Sequence, residues 1–431
     1  MAEFKKYKLG DIADIRTSNV DKKITPNQKT VKLCNFVDVY HNWAISKNNY
    51  SGFMTATASD DEIAKFLLKK GQVAFTKDSE TRNDIGVSTY IAEDFEDVVL
   101  GYHTALATPD ERIVTGEYLN AFMHSSYIQK YFELNATGSG MRYTLSLQTL
   151  HDIPVLAPDL TTQHKIGTLL SNIDHKISVN REINRNLDEL AKQIYDYWFV
   201  QFDFPNKEGK PYRSSGGKMV WNETLNRKIP DGWEVKKLGE VCNFRNGINY
   251  DKKIIGNKSY KIVNVRNISA SSLFLNQNEF DIISLKSNQA DNYLVSENSI
   301  LIARSGCPGA TRIIMNVDTN VIFCGFIICM ENFHSDYKLY FAYCLKALEN
   351  TSATTTGGSI LQNVSQDTLK RISVIIPPND IITAYNEKTL AIFKSQLSIQ
   401  KEIEELSKLR DNLLPLLMNG QVTLNSCLSA D

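Results

Sequence analysis

The chain has 431 residues, of which 42% are hydrophobic and 23% charged, a composition typical of a globular protein with two or three domains. No apolar run approaches the roughly 18 residues of a membrane helix, and the start MAEFKKYKLGD lacks the apolar centre of a signal peptide. Seven cysteines without a CxxC pair predict reduced thiols and a cytoplasmic location. The net charge of −1 is less basic than is usual for a free-standing DNA-binding domain.

Short β-branched segments bounded by turn residues occur twice along the chain and predict strands. The first set is VKLCNFVDV (31–39), GQVAFTK (71–77) and VVLGYHTALAT (98–108). The second set is YKIVNVRNI (260–268), NSILIAR (298–304) and NVIFCGFIICM (320–330). The chain therefore carries two copies of a strand-rich domain.

The two copies match in short segments, here called anchors, which lie at the ends and at a few interior points of each copy. Lys8-Leu9-Gly10-Asp11-Ile12 returns as Lys237-Leu238-Gly239-Glu240-Val241, and Thr137-Gly138-Ser139 returns as Thr356-Gly357-Gly358. The glycine-rich segments 138–140 and 357–359 are predicted as loops. Lys77 and Arg304 end corresponding strands. The ends of the two copies therefore match, while their interiors differ greatly.

A long helix is predicted over residues 161–199, after the first copy. Its apolar residues recur three or four apart, and no proline interrupts it, so it would span roughly 55–60 Å. Asn180 falls on the apolar seam, where a polar residue can fix the register of a helix pair. The following segment 203–228 is rich in Gly, Pro and Ser and is predicted as a linker.

A second long helix is predicted over residues 389–418, after the second copy, and Gln400 takes the place that Asn180 has in the first. The two helices can form one intramolecular coiled coil. The alternative is that each helix packs only on its own domain.

Motifs for catalysis are missing from the sequence. The only Pro-Pro, Pro377-Pro378, lacks the preceding Asn or Asp of a base-methylating loop, and Gly217-Lys218 lacks the glycine spacing of a P-loop. The acidic run 93–97 is most simply a solvated turn rather than a metal site. These absences favour a binding module.

Four motifs, in this order, resemble the specificity subunit of type I restriction–modification enzymes. They are Gln163-His164-Lys165-Ile166, Tyr197-Trp198-Phe199-Val200-Gln201-Phe202-Asp203, Ile229-Pro230-Asp231-Gly232-Trp233-Glu234 and Leu409-Arg410-Asp411-Asn412-Leu413-Leu414-Pro415. Together with the repeat they cover essentially the whole chain. The second helix departs from the pattern, because residues 380–385 lack the Gln-x-x-Ile of the first.

The resemblance implies an α+β fold with two target-recognition domains in tandem, each followed by a long helix, and the helices paired as an antiparallel coiled coil. The expected boundaries are domain 1 at 1–158, the central helix at 159–202, the linker at 203–228, domain 2 at 229–378, the C-terminal helix at 379–420 and a tail at 421–431.

The resemblance also implies a non-catalytic recognition subunit without a cofactor or metal of its own. Each domain would read one half of a bipartite site in double-stranded DNA, and the helices would set the spacer between the halves. Two methyltransferase subunits would bind along the helices and bring S-adenosylmethionine, and motor–nuclease subunits would join them. Residues 1–150 hold 17 Lys and Arg against 19 Asp and Glu, and residues 201–370 hold 20 against 16, so neither domain is strongly basic. The partners would therefore supply part of the attraction for phosphate.

DNA contacts require Arg, Lys, Asn, Gln or Ser on loops that reach a groove. In the first domain we predict Arg16, Lys77, Arg82, Asn83, Ser139, Arg142 and Tyr143. In the second domain we predict Arg245, Arg304, Ser305, Arg312, Ser359 and Gln362. For each, a surface charge or a phosphate contact is the alternative to base readout. Two other functions stay open at this point: a fused DNA adenine methyltransferase fragment, and a coiled-coil scaffold that binds only proteins.

Overall fold

The computed structural model describes residues 4–139, 142–250, 256–270, 273–286, 289–349 and 364–422. The chain divides into two compact units, residues 1–181 with 400–431 and residues 182–399. Each unit holds one strand-rich domain and part of each long helix, so the predicted α+β class with tandem domains is confirmed. Within the described residues, no helix is both long and apolar enough to cross a membrane.

A five-stranded sheet lies at the centre of the first unit, in the spatial order Ala13–Thr17, Thr104–Pro109, Val73–Thr76, Ser88–Ile91 and Ala44–Ile45. Smaller sheets of the same unit are Met54–Ala58 with Lys29–Cys34 and Val98–Leu100, Thr137–Ser139 with Arg142–Thr144 and Asp78–Ser79, and Lys5–Lys8 with Pro154–Ala157. Its shorter helices are Leu9–Ile12, Phe36–His41, Asp60–Phe66, Gly116–Met123, Ser126–Asn135 and Leu147–His151, with a 3-10 turn at Lys47–Gly52.

The second unit repeats most of this arrangement. Its central sheet has the order Asn243–Asn246, Ile327–Glu331, Ile300–Ala303 and Thr311–Ile313. The smaller sheets are Asp281–Leu285 with Lys258–Val263 and Val321–Phe323, Glu234–Lys237 with Ser373–Ile376, and Met219–Asn222 with Arg227–Pro230. Its shorter helices are Leu238–Val241, Val265–Ala270, Lys338–Ala347 and Gln366–Arg371, with 3-10 turns at Gln277–Glu279, Asp291–Tyr293 and Ser335–Tyr337.

The repeated Lys-Leu-Gly anchors have the same geometry in both domains. The backbone N–H of Leu9 donates to the carbonyl of Ile153, and that of Leu238 donates to the carbonyl of Ile372, each over 2.9 Å. The glycine that follows is required by close packing. A Cβ atom on Gly10 would lie 2.5 Å from Nδ1 of the neighbouring His151. The anchors therefore mark a structural joint rather than a DNA contact.

The strands predicted over 31–39 and 260–268 are wrong in their second halves, where the chain forms a short helix. The helix of the first domain begins because Asn35 occupies its N-cap, and the N–H of Asn35 donates to the Asp38 carboxylate over 2.7 Å. Asn264 takes the same place in the second domain. A capping asparagine thus outweighs the β-branched pattern around it.

The first long helix spans Leu160–Tyr195 and the second spans Asn379–Met418. In the first unit, Glu402 accepts hydrogen bonds from Lys176 over 2.7 Å and from Asn180 over 3.0 Å. Asn180 is 5% exposed, so the predicted polar seam position is buried and has a partner on the other helix.

Further contacts establish the direction of the pair. In the first unit Asp174 contacts Arg410, and in the second unit the carbonyl of Asn184 accepts from Gln396. Residue numbers rise along one helix as they fall along the other, so the predicted antiparallel coiled coil is confirmed. Gln400 does not mirror Asn180, because its amide donates to Glu404 on its own helix over 3.4 Å.

The entry to the first long helix is held by a buried glutamine. The side-chain oxygen of Gln163 accepts from the N–H of Thr115 over 3.0 Å, and its nitrogen donates to the carbonyls of Ile113 and Pro158, each over 2.9 Å. Gln163 is fully buried. One side chain thereby satisfies backbone groups of the domain and connects the domain to the helix.

An aromatic core forms where the first long helix ends. Its buried rings are Trp198, Phe199, Phe202, Phe204, Trp233, Tyr340 and Tyr385. The segment 203–228, predicted as a linker, is folded against this core: the ring of Tyr212 stacks on Phe204 with centroids 4.7 Å apart. The Asp203 carboxylate accepts from the N–H of Ser214 over 2.7 Å.

Two buried tyrosines of this core allow a matched test of stability. Among the described residues, the hydroxyl of Tyr385 has no hydrogen-bond partner, whereas that of Tyr340 donates to the carbonyl of Ile375. We expect Tyr385→Phe to raise the free energy of unfolding by about 1 kcal/mol, because it removes an unsatisfied buried hydroxyl. The matched change Tyr340→Phe should lower it by about 1 kcal/mol. Urea unfolding measures both, and a lower midpoint for Tyr385→Phe would contradict the assignment.

Candidate nucleic-acid interface

Lys77 and Arg304 occupy the same position of the fold in their two domains. Each directly follows a central strand, and each side chain is half-buried. The backbone N–H of Lys77 donates to the carbonyl of His103 over 3.0 Å, and that of Arg304 donates to the carbonyl of Phe326 over 2.8 Å. The equivalence inferred from the sequence is therefore a structural one.

The turn that carries His103 in the first domain carries Phe326 in the second. The strands predicted over 98–108 and 320–330 are each broken by this turn into two strands. His103 adopts a left-handed backbone conformation with φ of 69°, and Phe326 is 60% exposed. Gly325 was the sequence signal for the second turn, but the apolar residues around it favoured a single strand.

A cleft of about 530 Å³ lies beside this turn in the first domain. Its lining includes Phe36, Tyr40, Asp78, Asp84, His103 and Arg142. The side chains are held by one another. Nδ1 of His103 lies 2.5 Å from Oδ2 of Asp78, and Nη2 of Arg142 lies 3.2 Å from the same oxygen.

The carboxyl of Asp78 is ionised at the centre of this cleft. Its burial favours the protonated form, but hydrogen bonds from Thr144, His103 and Arg142, together with the charge of Lys77, outweigh the burial and lower the pKa of Asp78. The first cleft therefore presents a carboxylate beside cationic and imidazole groups, a mixed set of hydrogen-bond acceptors and donors.

A cleft of about 530 Å³ lies at the corresponding place in the second domain. Its lining includes Asn249, Tyr250, Asn264, Arg266, Asp281 and Phe326. Nδ2 of Asn264 donates to Asp281 over 2.8 Å, and Arg266 pairs with the same carboxylate. Both clefts are bordered by the short asparagine-capped helix and by the turn of His103 or Phe326. They share a position and differ in chemistry.

Most of the residues predicted in the first domain lie at or near its cleft. Arg142 lines it, and the guanidinium of Arg82 lies 5.0 Å from the ring centroid of Tyr143. Asn83 is exposed on the same loop as Arg82. Arg16 is apart from them: it lies on strand Ala13–Thr17 and pairs with Asp14 over 2.6 Å. The backbone of Ser139 lies in strand Thr137–Ser139, so this part of the predicted loop is a strand.

The residues predicted in the second domain are less clustered. Arg245 donates to Glu331 over 2.9 Å and to two backbone carbonyls, and Arg312 is 7% exposed and pairs with Glu349 over 2.8 Å. Both guanidinium groups thus stabilise the domain itself. Ser305 follows Arg304 and is half-buried. Ser359 and Gln362, like the predicted loop 357–359, lie outside the described residues.

Several cleft residues had not been predicted from the sequence, among them Tyr40, Asp78, His103, Asn264, Arg266 and Phe326. Asp78 directly follows Lys77, so the strand-end argument could have included it. The others come together only through the fold. In the described part of the chain, no group of three His, Cys, Asp or Glu residues is placed to hold a metal ion.

Comparison with known proteins agrees with the presence of two tandem domains. Residues 1–189 and 230–410 match the family model of the type I restriction modification DNA specificity domain. The chain is 26% identical to the type I restriction enzyme MjaIX specificity subunit of Methanocaldococcus jannaschii, over 72% of this chain and 69% of the relative. It is 23% identical to the HindI specificity subunit of Haemophilus influenzae, over 98% and 100% of the two chains.

A solved structure shows the same fold. The S subunit of a type I restriction-modification system from M. genitalium superposes with a TM-score of 0.53 at 15% identity, covering 96% of each chain. Since the family model matches both copies of the repeat, the chain belongs to the family of type I restriction–modification specificity subunits and carries two specificity domains in tandem.

Proposed function

We propose that each domain reads one half of a bipartite site in double-stranded DNA, and that the paired long helices set the unread spacer between the halves. The pair of clefts carries this proposal. They lie at the same place in two copies of one fold, and their linings differ in donors, acceptors and apolar groups. Two readers of different short sequences require this combination, because base edges differ in hydrogen-bond pattern and in the thymine methyl group.

The partners follow from the helices and from the charge. Apolar side chains stay exposed along both long helices, among them Ile183, Leu190, Leu390 and Leu409. We assign these surfaces to two methyltransferase subunits, which bring S-adenosylmethionine and the adenine chemistry, with motor–nuclease subunits joining that core. The chain itself would recognise DNA without catalysis. Because its net charge is only −1, the partners supply much of the attraction for phosphate.

Exchange of one domain tests the proposal. Residues 8–150 are replaced by the corresponding domain of the Haemophilus relative, and methylated sites are mapped in DNA from cells that express the assembled enzyme. We expect one half-site to change while the other half-site and the spacer are kept, because the Lys-Leu-Gly anchor at the start of the domain is structural and recurs in both domains. The matched control exchanges residues 237–370 and should change the other half-site. A change of both half-sites by either exchange would show that the domains do not read independently.

The strand-end cations generate a second prediction. Since Lys77 and Arg304 share a position although the two half-sites differ, we assign them to phosphate contacts rather than to base readout. Arg304→Ala should weaken DNA binding of the assembled complex at every sequence alike. The slope of log affinity against log salt should become shallower by about one unit. Titrations at several salt concentrations measure both quantities.

The control for this experiment is Arg112→Ala in the first domain. It removes an exposed cation that pairs with Asp110 and does not line the cleft of that domain. It should leave the salt slope unchanged. An altered methylation motif in the Arg304→Ala enzyme, with the wild-type salt slope, would mean that Arg304 reads a base.

A further inference from the structure

Trp43 is fixed firmly within the first domain. Its indole is 8% exposed, and its carbonyl accepts from the N–H of Tyr90 over 2.9 Å and from Nδ2 of Asn120 over 3.0 Å. The indole stacks on the ring of His124, with centroids 4.4 Å apart and planes 21° from parallel. The position of this indole therefore reports the position of the central sheet and of helix Gly116–Met123.

Arg410 of the second long helix lies on the indole. Its Cζ atom is 5.3 Å from the centroid of the Trp43 ring, and Nη1 donates to Oδ1 of Asp174 on the first long helix over 3.4 Å. The side chain of Arg410 is 23% exposed and that of Asp174 is 15% exposed. Nε and Nη2 of Arg410 also contact the neighbouring Asp411 over 3.1 Å each. One guanidinium group thus contacts both long helices and the domain.

The charges around this contact are consistent with a stack that carries one positive charge. Burial lowers the pKa of His124 to about 4, and the charge of Arg410 lowers it as well, so the imidazole is neutral at neutral pH. Burial raises the pKa of Asp174, and the charge of Arg410 opposes that rise. The guanidinium therefore meets an uncharged aromatic face on one side and a carboxyl group on the other, which suits a cation–π contact.

The second unit contains a contact of the same kind with different chemistry. Asp188 of the first long helix pairs with Lys346 over 2.9 Å and accepts from the hydroxyl of Tyr343 over 3.4 Å. Both partners lie on helix Lys338–Ala347, and the charged groups are about one-fifth exposed, at 18% and 22%. In each unit a half-buried charged group therefore connects a long helix to the domain.

We propose that Arg410 is a positioning residue, which holds the first domain at one orientation on the helix pair and so restricts the enzyme to one spacer length. This role of Arg410 rests on the proposed function, in which the helices set the spacer. The cation–π contact with Trp43 opposes movement of the domain on the helices, and the contact with Asp174 fixes the guanidinium group between the two helices. A flexible lysine ammonium at this position would keep the charge and lose the flat, rigid guanidinium group that lies over the indole.

The test measures spacer preference in the assembled methyltransferase complex. Initial methylation rates are compared on duplexes that share both half-sites and have the native spacer, one base pair fewer or one base pair more. Arg410→Lys should lower the ratio of the methylation rate on the native spacer to the rate on the altered spacers by roughly fivefold, the scale of a partly exposed cation–π contact. Trp43→Phe keeps a smaller aromatic face and should lower this ratio less. Lys401→Ala, which removes a helix lysine 77% exposed, is the matched control and should leave the preference unchanged.

A ratio of rates separates positioning from a loss of folded enzyme, because unfolding lowers all three rates by the same factor. If Arg410→Lys and Trp43→Phe lower the rates equally on all spacers, the contact is only structural and the proposal is overturned. A changed base in either half-site would overturn it too, since Arg410 would then act on readout. If the wild-type complex itself shows no spacer preference, the proposed function fails. If the wild-type complex shows a preference and the variants keep it unchanged, only the positioning role of Arg410 is overturned.

Discussion

The antiparallel pairing of the two long helices is the constraint on which the rest of the structure depends. Residues far apart in sequence, such as Asn180 and Glu402, meet only through this pairing, and each compact unit needs part of both helices. The domain at the start of the chain is thus supported by residues from its end. A buried polar contact on the seam costs some stability and fixes the register in return. A fixed register is required if, as proposed, the length of the helices sets the spacer between the two half-sites.

The repeated domain separates what must stay constant from what must differ. The Lys-Leu-Gly anchors, the capped short helices and the backbone hydrogen bonds of Lys77 and Arg304 recur in both copies. The cleft linings do not recur: one holds a carboxylate with imidazole and guanidinium groups, and the other an exposed phenylalanine beside an arginine–aspartate pair. In the proposed function, this constant frame would present two different sets of hydrogen-bonding and apolar groups to DNA in one docking geometry.

Repeats and helical periodicity predicted the fold well, because they record packing that extends over many residues. The sequence could not predict the details that depend on single contacts. Capping by Asn35 turned the end of a predicted strand into a helix. Arg245 and Arg312 match the residue types that contact DNA, yet both are engaged inside their domain, since an arginine's role depends on the partners that the fold brings to it. The position of Lys77 at the end of a strand was predicted correctly, because a strand end is visible in the pattern itself, and its contact with DNA stays a prediction.

The most direct test lengthens both long helices together. One heptad is inserted after Ile183 and another after Leu397, which lie at the same level because Gln396 contacts Asn184. This keeps the seam and adds roughly 10 Å. Methylated sites are then mapped in DNA from cells that express the assembled, active enzyme. The account predicts both half-sites unchanged and a spacer longer by up to about three base pairs, at roughly 3.4 Å each. An active enzyme that keeps the original spacer would contradict it.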